Sequence, residues 1–290
     1  MKFGAVCTIL TGLAFLSAAQ VLTNEPAPDP VEIVRKSLER NANNDARLKD
    51  YTFTESKETH TLEKDGTVVK TERESFDVVN LYGRPYKRRV SKDGLSLEGR
   101  EKQKADEEFE KEVRKRESEG DDQRRKREEE HEKSRVDSLR YLLEIPKAYT
   151  FKISGEEVLD GMPVWVIEAT PRPDFRSPVK RAELLKKVAG RIWVDKESLQ
   201  WVRADVEAIE PISFGGFLAK LDRGARMTFL QTRVNDDVWL PLKATVRIDA
   251  RLLVKHYRIA GETTWSNYRK FRVDSRVVED AESPAPQPQK

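Results

Sequence analysis

Cysteine is almost missing from this chain of 290 residues: its single copy, Cys7, lies in the apolar stretch at the N-terminus. A disulfide framework is therefore excluded, even in an oxidising compartment. Histidine is nearly as scarce. His60, His131 and His256 stand far apart, without metal-ligand spacing, so they read as surface residues and no metal site is expected. After the N-terminus no apolar run approaches the roughly 18 residues of a membrane span. There is no G-x-S-x-G elbow, P-loop or dinucleotide fingerprint, so no cofactor is implied. Carboxylate pairs abound, as chance alone gives in so acidic a chain. The sequence argues against an enzyme, and a hydrolase using scattered carboxylates is the remotest alternative. An excess of one charge is lacking as well: 54 Lys and Arg against 51 Asp and Glu leave a net +3. Nucleic-acid binders concentrate unbalanced positive charge, so that class is set aside.

What is present begins with a leader. Lys2, an apolar run over 3–16 and Ser17-Ala18-Ala19 have the layout of a secretory signal cut after Ala19, the alternative being a membrane-anchored start. Residues 1–19 are thus read as leader, 20–30 as a proline-rich linker, 31–280 as a single β domain and 281–290 as a disordered Pro/Gln tail. Export across the inner membrane to the periplasm follows from the leader.

Within the domain, Asp29-Pro30 starts an amphipathic helix carrying Val31, Ile33, Val34 and Leu38, which the polar stretch 41–45 is expected to end. From Tyr51 the period drops to two, with turns at Lys64-Asp65-Gly66 and Lys92-Asp93-Gly94 marking consecutive antiparallel strands. Residues 98–140 interrupt this pattern. Dense Glu, Lys and Arg three and four apart, broken near Gly120, predict a helix or helical hairpin. That segment reads as a solvated excursion, or functionally as a protein-binding arm or a charged flap. Hairpins follow at Leu159-Asp160-Gly161 and at 195–198, with a short helix over 177–187 closed by Gly190. In the hairpin 191–205, Ile192 and Val194 face oppositely to Trp193, so both faces carry apolar bulk. Residues 208–223 read as a flexible apolar loop and a short helical turn, either a plug or a gate. A long strand then alternates Leu242, Ala244, Val246, Ile248, Ala250 and Leu252 with polar residues, and Pro241 should mark its start.

The fold class is mainly β (α+β): a curved antiparallel sheet or unclosed β-barrel meander with a covering N-terminal helix and an inserted charged helical segment. The early helix over 33–40 feeding 51–56, the strand Gly190-Arg191-Ile192-Trp193-Val194-Asp195 and Trp239-Leu240-Pro241 carry a resemblance. In these the chain is similar to the LolA/LolB-like superfamily of periplasmic lipoprotein carriers and outer-membrane lipoprotein-sorting proteins. That resemblance implies an unclosed barrel whose hollow holds acyl chains, and this chain departs from it in length and in the charged segment. The expected partner is a lipid or acylated lipoprotein in the hollow. Trp193, Trp201, Phe229, Val246 and Ile248 are the candidate lining and Phe214 and Phe217 the candidate gate, the same residues being otherwise a filled core. The alternative is a non-enzymatic cell-envelope scaffold, with 98–140 engaging an envelope protein.

Overall fold

The computed structural model describes residues 28–214, 218–235 and 238–270. The expected leader, most of the linker, the tail and Phe217 lie outside the described residues.

Helix α1 (Pro30–Leu48) starts as its sequence dictates: the Asp29 carboxylate accepts a 3.0 Å bond from the Val31 amide, and Pro30 takes a first-turn position whose N–H is not needed. It does not end at the polar stretch 41–45. Asn41 and Asn44 continue the helix because their amides find partners on the sheet. Asn44 donates to Gln200 (2.8 Å), Gln200 donates to Gln231 (2.9 Å), and Gln231 donates to Asn41 (2.6 Å). Buried amides satisfied in this way cost little, whereas the same groups unpaired would break the packing.

Thirteen strands form one antiparallel sheet. The N-terminal meander is β1 (Tyr51–Leu62), β2 (Val68–Leu81), β3 (Arg84–Lys92) and β4 (Leu95–Ser96). The second run is β5 (Tyr149–Leu159), β6 (Met162–Pro171), β7 (Val188–Asp195) and β8 (Trp201–Ala208). The remainder are β9 (Ile212–Phe214), β10 (Ala219–Leu221), β11 (Arg226–Val234), β12 (Val238–Leu252) and β13 (Lys255–Lys270). Their order is β4-β3-β2-β1-β13-β12-β11-β8-β7-β6-β5, with β10 and β9 appended to β12. The two runs therefore join through β11, β12 and β13, and β1 pairs β13 from Tyr51 opposite Lys270 to Thr61 opposite Ile259 with a register shift between Thr52 and Thr54. β4 and β5 are left as separate edges, so the sheet is curved but unclosed.

The main core lies on the inner face, where Ile33 and Val34 of α1 pack on Tyr149, Phe151, Ile167 and Val194. Burying each such side chain contributes about 1.5–3 kcal/mol. A smaller cluster of Val164, Val166, Trp193, Val202 and Trp239 occupies the outer face at one end. Both apolar faces of the 191–205 hairpin are thus covered.

Several local expectations are corrected. Gly190 does not close a helix. The short helix is a 3-10 segment ending at Lys187, and Gly190 lies within β7, where an added Cβ would meet the Asp205 carbonyl oxygen at 2.8 Å. Pro241 lies inside β12 and not at its start; it pairs with Gln231 at a register shift, where a missing N–H is tolerated. Ile212–Phe214 and Ala219–Leu221 form the short paired strands β9 and β10 where a helical turn was expected, because β12 is long enough to template β10.

The charged insertion is two helices, α2 (Gly99–Glu117) and α3 (Asp121–Ala148), broken near Gly120 as its sequence indicates. α2 lies along β3, with Phe109 against Tyr86 and Arg88 paired to Asp106. Over 121–140 α3 is mostly exposed, a solvated excursion as expected, but both of its ends are fastened. At its start the Arg127 carbonyl accepts from Arg84 at β3 (2.8 Å), and at its end Tyr141, Ile145 and Ala148 pack into the core beside β5. It therefore crosses from one edge region of the open sheet to the other.

Candidate functional site

Where α3 crosses the inner face it partly covers an open cavity of about 380 Å³ against the second half of α1 and the ends of β1–β3. The walls are apolar: Ala42 and Leu48 from α1, Tyr51, Phe53 and Val78 from the sheet, Leu139 and Leu142 from α3. Local sequence explains each wall. Tyr51 and Phe53 alternate onto the inner face of β1, and Leu139 and Leu142 are three apart on α3 and so share a helical face. Tyr268 stacks on Phe53 (ring centroids 5.2 Å) and donates to the Pro241 carbonyl (2.7 Å); burial pushes its phenol above the usual range.

Polar groups collect at the rim, and most are already engaged. Asn80 donates to the Lys49 carbonyl (2.6 Å). Arg135 holds Glu132 in a two-bond pair at 2.6 and 2.8 Å, and its guanidinium keeps that carboxyl below the usual carboxylate range. His131, Ser134 and Ser138 complete the α3 side. The Tyr51 hydroxyl differs: it is buried and has no hydrogen-bond partner among the described residues. An unpaired buried hydroxyl costs about 1–3 kcal/mol.

Beside the cavity the inner face carries a second apolar feature. Trp201, Phe229 and Trp265 stack in a row, with centroid separations of 5.3 and 5.9 Å. The Trp265 indole donates to Glu55 (3.1 Å), a buried carboxylate that also accepts from Lys87 at 2.6 and 2.7 Å. Two residues from Phe229, Gln231 bonds Asn41 of the cavity wall, so the row adjoins the cavity. From Phe229 the face continues through Ala244, Val246 and Ile248 by alternation along β12.

The expected lining divides on this geometry. Trp201 and Phe229 meet in the aromatic row, and Val246 and Ile248 extend its face. Trp193 does not share that face. A register shift sets Trp193 opposite Arg203 and Val194 opposite Trp201, and the Trp193 ring packs among outer-face valines under Arg203 (4.5 Å from its centroid). Phe214 is half-exposed on β9, away from the cavity walls. None of these residues lines the cavity, whose α3 wall comes from the apolar stretch 139–145, expected from its sequence to pack the end of the charged segment onto the sheet. The apolar cluster 139–145 in a charged segment was the available signal. Among the described residues no group of His, Cys, Asp or Glu could hold a metal ion, and no helix is long and apolar enough to cross a membrane.

No family model and no curated protein sequence matches the chain. Among solved structures it is similar to a DUF1329 family protein from Desulfovibrio piger, at 14% identity over 86% of this chain and 96% of that one, with a TM-score of 0.35. An outer membrane lipoprotein-sorting protein domain from Vibrio parahaemolyticus is 14% identical over 84% and 95%, at a TM-score of 0.30. A LolA superfamily protein from Nitrosomonas europaea is 12% identical over 85% and 94%, at 0.29. The chain itself is an unclosed antiparallel sheet with an N-terminal helix.

Proposed function

We propose that the protein is a periplasmic carrier or binder of a hydrophobic ligand, a lipid or acylated lipoprotein, whose acyl chain occupies the cavity beneath α3. The carrying observation is that partly open, mainly apolar space of about 380 Å³, walled by residues from three parts of the chain. At ~30 Å³ per methylene-sized unit, the volume share of a liquid water, it takes about a dozen methylenes. At about 0.8 kcal/mol each this is roughly 10 kcal/mol before association costs, enough for useful affinity.

The test is native against denaturing mass spectrometry of protein purified from an envelope fraction without detergent. The expected result is an added mass that disappears on denaturation and fragments as a lipid. A bare mass that stays bare after incubation with membrane lipids would overturn the reading.

A second reading, an envelope protein docking on the charged helices, has one observation in its favour: α2 buries no residue and so keeps a free charged face. Deleting the insertion would not separate the two, because α3 is a cavity wall. Reversing charges on α2 alone, at Lys104 and Lys111, does: the second reading expects partner capture to fail while lipid content is unchanged.

A further inference from the structure

The hairpin joining β12 to β13 turns on Leu253 and Val254. Leu253 is held at φ 54°, in the left-handed region that strains a bulky side chain. Elsewhere the same need is met by Tyr82-Gly83, Asp93-Gly94 and Asp160-Gly161, with glycine second in each turn. Here no glycine or Asn is present, and aliphatic side chains occupy the outermost point: Leu252 is 52% exposed, Leu253 55% and Val254 89%. Behind them Lys220, Arg251 and His256 stand directly opposite one another across three adjacent strands. Like-charged cross-strand neighbours destabilise a sheet. Lys220 reaches Asp222 only at 4.0 Å, and Arg251 and Lys255 have no ion pair among the described residues. In the strained turn the Leu253 amide donates to the Leu218 carbonyl (2.8 Å), but the exposed aliphatics contribute little burial and the basic row no stability.

All three make sense against one occupant. We propose that this tip docks the protein on an anionic lipid bilayer. Leu252, Leu253 and Val254 enter the boundary between headgroups and acyl chains, and Arg251 and Lys255 meet lipid phosphates. Leu252 also ends the aliphatic inner stripe of β12, so docking sets the inner face of the sheet toward the membrane. The docking does not rest on the acyl cavity, and its test reads the tip alone.

The experiment is co-sedimentation of the purified chain with phosphatidylglycerol-containing vesicles and with pure phosphatidylcholine vesicles. Binding is expected to the first, weakening as salt rises. Leu253→Asn with Val254→Gly installs the turn that hairpin geometry prefers, so the fold is not at risk, and it is expected to abolish binding. Arg251→Gln with Lys255→Gln is expected to weaken binding roughly fivefold per residue, about 1 kcal/mol each. Failure of the unaltered chain to bind, or undiminished binding by either variant, would overturn the proposal. Self-association lost in the turn variant without any vesicle binding would assign the tip to a second copy and overturn it equally. Lipid found by mass spectrometry in the turn variant would leave the carrier reading standing whatever the vesicles show.

Discussion

Ala42→Phe asks whether the space beneath α3 is where an acyl chain goes. Ala42 is half-buried on α1 and lines the cavity. The substitution adds six ring carbons, about half of the dozen methylene-sized places estimated from 380 Å³. Five or six lost methylene contacts at about 0.8 kcal/mol each remove about 4 kcal/mol of binding, close to a thousandfold in affinity. The folded protein should gain, since a ring placed in existing space adds about 1–2 kcal/mol of burial. The assay pairs titration of cis-parinaric acid, a fluorescent fatty acid, with urea unfolding of the same samples. The expected outcome is a raised urea midpoint at unchanged slope together with collapse of fatty-acid affinity. A raised midpoint with unaltered affinity would show that the cavity had been filled and was never the site. Acyl binding would then have to be sought along the aromatic row of Trp201, Phe229 and Trp265.

Three further outcomes are expected. Gln200→Leu orphans the Asn44 amide donor and the Gln231 carbonyl acceptor, both turned into the interface beneath α1, and should cost about 2–4 kcal/mol by urea titration; a loss under 1 kcal/mol would mean that the amide chain does not hold the helix. Gly190→Ala places a Cβ against the Asp205 carbonyl and should destabilise by about 1–3 kcal/mol, visible as a lowered thermal midpoint, with no loss if β7 and β8 can part without cost. Glu144 is buried, and the Lys147 ammonium, helped by Ser177, holds its carboxyl below the usual range. A depressed carboxylate stabilises above its unfolded pKa and loses that contribution as pH falls through the folded value. Glu144→Gln should therefore flatten the acid limb of the stability curve below about pH 4.5, and an unchanged limb would remove Glu144 from the acid response.

The strands, their turns and the first helix were legible because their signals are local. Alternation at Tyr51 and Phe53, glycine at three hairpin turns and Asp29-Pro30 at a helix start each need only a few neighbours in sequence. Two kinds of information were not local. Asn41 and Asn44 read as a helix stop until Gln200 and Gln231, more than 150 residues away, supply their hydrogen bonds. Trp193 and Trp201 fall on opposite faces because a register shift between β7 and β8 reverses the alternation there, and a shift of one residue cannot be seen in composition. The cavity was hidden for a third reason. Leu139 to Ile145 reads as apolar packing of the charged segment's end onto the sheet, but that this packing leaves a cavity against α1 and β1 depends on contacts distant in sequence.

α3 has a further consequence as an object of fixed length. Its 28 residues make a rod of roughly 42 Å at 1.5 Å per residue, fastened near β3 at one end and β5 at the other. A rod cannot stretch, so it acts as a spacer that sets the gauge of the opening below it. Widening the opening requires one of its fastenings to let go. Adding or removing whole turns of this helix would regauge the opening while leaving the walls made by the sheet as they are. The charged insertion is then the part of the chain that sets the width of the opening, and its two ends, not its solvated flank, are where that width is fixed.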